Sequence, residues 1–126
     1  MKPIACRKNH NLKLFIRVYE NGEIVFSSAL VKLMDIKCGD SIMMFSEFEK
    51  GFKEIYIAKS DNGATLYKSN RKGCKTINPL RIYSSEYSKI LLGKNKKGIF
   101  RIGEKINKEG IDYFNVIYVK NYATDD

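Results

Sequence analysis

Between Leu12 and Tyr19 the chain alternates, with Leu12, Leu14, Ile16 and Val18 on one side and Lys13, Phe15, Arg17 and Tyr19 on the other. That is the two-residue period of a strand with one buried face. Asn21-Gly22 follows, a dipeptide in which both residues accept positive φ, and Glu23 to Phe26 returns the chain, so the pattern predicts a hairpin. Ser27 or Ser28 then offers a hydroxyl to cap a helix of about two turns, in which Leu30, Leu33 and Met34 recur at helical spacing. Ile36 to Asp40 reads as a turn with Gly39 left-handed, Ser41 to Phe45 as a third strand, Glu49-Lys50-Gly51 as a turn, and Phe52 to Lys59 as a fourth strand. The first unit is therefore strand, strand, helix, strand, strand.

Asp61-Asn62-Gly63 punctuates the chain, Ala64 to Lys68 reads as a short strand, and Ser69 to Gly73 as a basic loop leading into Thr76 to Tyr83. From there the order repeats. Val25-Phe26-Ser27-Ser28 aligns with Ile82-Tyr83-Ser84-Ser85 at an offset of 57, which also brings Lys32 onto Lys89, Leu33 onto Ile90 and Ile42 onto Ile99. After a small insertion, Ile55 to Lys59 matches Val116 to Lys120. An internal duplication accounts for this pattern; the alternative is chance likeness between two amphipathic segments. The expected organisation is a single domain over residues 1–126, with repeat one at about 12–60, a basic linker at about 61–78 and repeat two at about 79–120. One unit of about 45 residues buries too little apolar surface alone, whereas two can share a core. The expected fold class is α+β and β-rich, a pseudo-symmetric β-barrel built from two strand-strand-helix-strand-strand repeats.

The 126 residues are 44% hydrophobic and 29% charged, enough apolar mass for a folded core. The net charge of +9 is concentrated: between Leu66 and Lys105 eleven Lys and Arg face only Glu86 and Glu104, which accounts for the whole excess. Such a window suits a polyanion such as DNA, although a solvated surface on a protein-interaction or adaptor module gives the same count. The candidate nucleic-acid contacts are Arg71, Lys72, Lys75, Arg81, Lys94, Lys96, Lys97, Arg101 and Lys105, most of them toward phosphate. Tyr67 and Tyr83 interleave with this stretch and are candidates for base stacking, against the alternative that they are half-buried sheet residues.

Other chemistry is thinly represented. Cys6, Cys38 and Cys74 are odd in number and widely spaced, which fits a reducing compartment rather than a disulfide framework. Cys6 and His10 are half a metal site without a second pair, so no metal and no cofactor is expected. With one histidine, no nucleophile elbow, and Asp35, Asp40, Asp61 and Asp112 at expected turns, no enzyme is expected, and Asp40 is expected to brace its own turn. Apolar runs such as Ile42 to Phe45 and Phe114 to Val119 fall short of the roughly 20 residues of a membrane span. No apolar segment follows Lys2, Arg7 and Lys8, so the expected location is cytoplasmic, with no membrane partner.

Gly22-Glu23-Ile24-Val25-Phe26-Ser27, Leu30, Leu33, Ile36-Lys37-Cys38-Gly39-Asp40 and Ile42 resemble the AbrB-type swapped-hairpin (SpoVT/AbrB-like) family, whose pattern runs through a hairpin, a short helix, a Gly-Asp turn and a strand. The likeness covers about a third of the chain and returns in degraded form in the second half, where Lys96-Lys97 replace Gly39-Asp40. It implies an interleaved β-barrel, usually a homodimer, for which the second copy could supply the partner half within one chain as a pseudo-dimer. It also implies a DNA-binding transcription regulator, with basic contacts ahead of the helix, where Lys13, Arg17 and Arg81 stand here. Glu23 occupies a place where a basic residue is common in that family. This departure moves the expected polyanion surface toward the linker and the second repeat.

Overall fold

A computed structural model of the chain describes residues 13–49, 52–68 and 80–120. Strand β1 (Phe15–Tyr19) buries Ile16 and Val18 and turns Arg17 outward, as its alternation predicts. Strand β2 (Glu23–Phe26) pairs back on it, joining Ile16 to Phe26 and Val18 to Ile24. The expected hairpin is present, with its turn closed by Gly22. Three residues connect the strands, the Gly22 amide donates to the Tyr19 carbonyl at 3.0 Å, and Gly22 alone has positive φ, at 102°. This is a tight turn closed by a left-handed glycine, so Asn21 need not leave ordinary backbone space. Instead its side-chain oxygen accepts from the Glu23 amide at 3.0 Å. A side chain at Gly22 would also crowd the Ser85 backbone.

Helix α1 (Ser28–Met34) starts where a hydroxyl can satisfy its free amides: the Ser27 side chain accepts from Leu30 N–H at 3.3 Å. The same Ser27 hydroxyl donates to the Lys13 carbonyl at 2.7 Å, tying the helix start to the entry of β1. Asp35 ends the helix in the left-handed conformation at φ 55°, a role the sequence pattern does not single out. Strand β3 (Ser41–Glu49) runs past the expected end at Phe45 because its pairing with β4 (Phe52–Lys59) continues through eight residue pairs.

The expected strand from Ala64 to Lys68 is broken into β5 (Ala64–Thr65) and β6 (Tyr67–Lys68), with Leu66 between them. The second half continues with β7 (Leu80–Tyr83), α2 (Ser85–Leu92), β8 (Lys97–Lys108) and β9 (Ile111–Lys120). Ser84 caps α2 through Tyr87 N–H at 3.1 Å. Ser88, fully buried, donates its hydroxyl proton to the Tyr19 carbonyl and so seats α2 on the end of β1. Asp112, expected at a turn, lies in β9, where its carboxylate accepts from Asn107 Nδ2 at 2.8 Å. The expected stretch from Thr76 is described only from Leu80, and the expected turn at Lys50-Gly51 lies outside the described residues.

The strands form one antiparallel sheet in the order β5-β3-β4-β9-β8-β1-β2-β7-β6. Its two ends are consecutive in the chain, separated by Leu66 alone, so the sheet curls into a nearly closed barrel. Leu66 is fully buried, its amide donates to the Asp40 carbonyl at 2.8 Å, and its carbonyl accepts from Gly39 N–H at 3.0 Å. One residue later Tyr67 pairs with Arg81 on the opposite edge. The chain thus switches edges at Leu66, and the open hydrogen-bonding rims of β3 and β7 are both covered by one segment. Gly63 permits the approach, since any side chain there would collide with the backbone of Ile42. Inside, Ile16, Phe26, Leu30, Ile42, Leu66, Ile82, Phe100 and Phe114 belong to a single buried cluster drawn from both halves of the chain. No described helix is long and apolar enough to cross a membrane.

The turn before β3 is held by Asp40, whose carboxylate accepts from Lys37 N–H at 3.0 Å and lies 3.5 Å from the Lys59 ammonium. The amide bond from Lys37, aided by Lys59, holds the Asp40 carboxyl below its ordinary value of 3.8, although desolvation opposes the shift. A carboxyl depressed by folding adds stability above its unfolded pKa and loses that contribution as pH falls through the folded value. Urea midpoints measured on the acid side of 3.8 should therefore fall with pH in the native chain, and Asp40→Asn should flatten that part of the curve. Leu66→Ala should cost about 2–5 kcal/mol in equilibrium urea unfolding, the range for emptying a filled core position.

Candidate nucleic-acid interface

Cross-strand partners share a face of a sheet, and alternate residues along a strand return to it. These two rules carry one outward row across the barrel: Tyr67 on β6, Arg81 on β7, Val25 on β2, Arg17 on β1 and Ile99 on β8. A parallel row runs from Tyr83 to Glu23, and at the far side Tyr19 pairs with Lys97 and Phe15 with Arg101. The inward positions of the same strands, Ile16, Val18, Ile24, Phe26, Leu80, Ile82 and Phe100, are buried. The outer face of β6-β7-β2-β1-β8 therefore displays Arg17, Arg81, Lys97 and Arg101, interleaved with Tyr67, Tyr83, Phe15 and Tyr19. Among these register-paired residues, four cations share the face with one carboxylate, Glu23.

The charges are not evenly distributed on it. Arg81 Nη1 donates to Glu23 Oε2 and, at 3.1 Å, to the Tyr83 hydroxyl. The Arg81 and Glu23 side chains are 17% and 18% exposed, so this ion pair is partly shielded from solvent. Arg17 lies with its guanidinium carbon 5.3 Å from the centroid of the Phe15 ring, within cation–π range. The β6-β7 side thus carries Tyr67, Tyr83 and an Arg81 paired with Glu23, whereas β1 and β8 carry Arg17, Lys97 and Arg101 together with Phe15 and Tyr19. Tyr67 and Tyr83 are 51% and 52% exposed, with ring centroids 6.3 Å apart and planes tilted by 49°.

Of the residues expected to contact nucleic acid, Arg81, Lys97 and Arg101 are brought together here, as are Tyr67 and Tyr83. Lys94 and Lys96 are exposed in the turn after α2. The Lys96 carbonyl accepts from Glu20 N–H at 2.9 Å, which places this turn against the β1–β2 connection at the rim of the face. Lys97 starts β8 instead of lying in the loop. Lys105 is exposed but lies beyond a register shift in β8, where it pairs with Phe114 of β9 and not with β1. Arg71, Lys72 and Lys75 lie outside the described residues. Arg17, which only the family resemblance singles out, stands at the centre of the face, and Phe15 beside it carries no mark in the charge pattern. The alternation along β1 was the available signal, because it puts Phe15, Arg17 and Tyr19 on one side.

Among the described residues no group of three His, Cys, Asp or Glu could hold a metal ion, and Cys38 is an exposed free thiol in the turn before β3. Compared with known proteins, the chain matches no family model, no curated protein and no solved structure. A double-mutant cycle on Glu23→Ala and Arg81→Ala should give a coupling energy of about 1 kcal/mol in urea unfolding, since the pair is partly buried and hydrogen-bonded. Additive effects of the two substitutions would mean that the contact contributes nothing to stability.

Proposed function

We propose that the chain is a small nucleic-acid-binding protein, a DNA-binding regulator of AbrB-like type, whose barrel consists of two copies of one strand-strand-helix-strand-strand unit. Pairing across the two halves supports the duplication. Ile24 pairs with Ile82 and Val25 with Arg81, and the offset of 57 exchanges one pair for the other. Ile55 pairs with Val116, its own counterpart in the aligned final strands. Strand β1 lies between β8 and β2, just as the segment from Ala64 to Lys68 lies between β3 and β7. Ser27 and Ser84, related by the same offset, cap the two helices. On this reading the chain is its own dimer, with both halves of an interleaved barrel supplied by one polypeptide.

The observation that carries the binding reading is the gathering of Arg17, Lys97 and Arg101 on one sheet face, with Lys94 and Lys96 at its rim. Cations spaced along one surface follow a phosphate backbone and release its counterions, which gives affinity with little sequence information. Arg17 and Arg101 place guanidinium groups on this face, the chemistry that can engage base edges as well. The binding assigned here needs no catalytic group.

For about four phosphate contacts, duplex affinity should fall on the order of a hundredfold between about 50 and about 200 mM salt. The triple substitution of Lys94, Lys96 and Lys97 by Ala should weaken binding to unrelated sequences alike and make the salt slope shallower. Fluorescence polarisation against salt measures both. A chain that shifts no DNA even at low salt would instead fit the protein-interaction module, with the lysines as solvated surface.

A further inference from the structure

The two half-exposed aromatics of the face, Tyr67 and Tyr83, stand on β6 and β7, while Arg17, Lys97 and Arg101 stand on β1 and β8, and that placement has a chemical meaning if the face binds nucleic acid. We infer that Tyr67 and Tyr83 form a platform for unpaired bases, so that single-stranded DNA is the preferred ligand over duplex. This rests on the nucleic-acid reading and specifies the state of the strand that is bound.

Three features lead there. First, both rings are half exposed, and at 6.3 Å with a 49° tilt they are not stacked on one another, so neither uses up the other's flat surface. Second, Tyr83 is oriented before any ligand arrives. Its hydroxyl accepts from Arg81, and Arg81 is tethered in turn by Glu23, so little side-chain freedom remains to be lost when a base lands on the ring. Third, Arg81, the cation beside the tyrosines, is ion-paired with Glu23 and adds little pull on phosphate, while Arg17, Lys97 and Arg101 stand on β1 and β8. Those strands are two and three positions from β7 in the sheet, which is roughly 10–14 Å. A single strand can lay its backbone along the cations and turn its bases toward the tyrosines. In a duplex the base faces are covered by their neighbours, and the rings would have nothing to stack on.

The test compares oligo(dT) of about twelve nucleotides, within the usual site size of such surfaces, with a duplex of equal length at the same low salt. Fluorescence polarisation should show the single strand bound about tenfold more tightly or better. Tyr67→Ala and Tyr83→Ala should each weaken oligo(dT) binding by about tenfold and leave duplex binding unchanged, because stacking acts only on unpaired bases. Tyr83→Phe should lose only the part that orientation by Arg81 supplies and bind more tightly than Tyr83→Ala, since the ring does the stacking. Tyr83→Leu, which keeps apolar bulk without aromaticity, serves if the alanine variant fails to fold, and should lose the affinity. Duplex bound as tightly as oligo(dT), or alanine variants that fold and bind as before, would overturn the inference while leaving nucleic-acid binding intact. Failure to bind either ligand would remove the underlying reading itself.

Discussion

The passage of the chain through Leu66 is the constraint on which the other features depend. A curled sheet of short strands leaves two edges whose amides and carbonyls must find partners, and here one extended segment serves both. Thr65 and Leu66 complete the ladder along the β3 side, and Tyr67 begins the ladder on β7. The buried Leu66 side chain anchors the crossing in the core. Without that double pairing, β6 would have no reason to lie beside β7, and Tyr67 would not stand opposite Arg81.

Closure also explains why the outer surface can be specialised. With apolar side chains of β1, β2, β7 and β8 turned inward, the outward positions are relieved of core packing and can carry charge. On the face of β6-β7-β2-β1-β8 they carry arginines, a lysine and aromatics. The ion pair between Glu23 and Arg81 sits where the tyrosines stand, while Arg17, Lys97 and Arg101 lie on β1 and β8. That arrangement within a single sheet face is a consequence of cross-strand register, and it could not be produced by either half of the chain alone.

Much of the fold was legible beforehand because its signals are local. Alternation marked β1, serines at the right distance from apolar residues marked both helix starts, and a glycine marked the first hairpin. The misreadings were local as well. Ser41 to Phe45 reads as the whole third strand because nothing local shows that pairing with β4 continues to Glu49. Residues Ala64 to Lys68 looked like one strand because nothing in five residues reveals a change of partner. Asp112 reads as a turn residue, yet it lies in β9.

The amino-acid order by itself determined which segments are strands and helices, which side of each strand is apolar, and that the positive charge lies in the second half. These properties depend on neighbours a few residues apart, where backbone preference and periodicity act. Tertiary structure alone decided that Arg17 from the first half joins Lys97 and Arg101 from the second, that Glu23 occupies Arg81, and that two tyrosines sixteen positions apart stand side by side. Those outcomes follow from hydrogen-bond pairing between distant strands, whose choice of partner is settled by closing the sheet around one core.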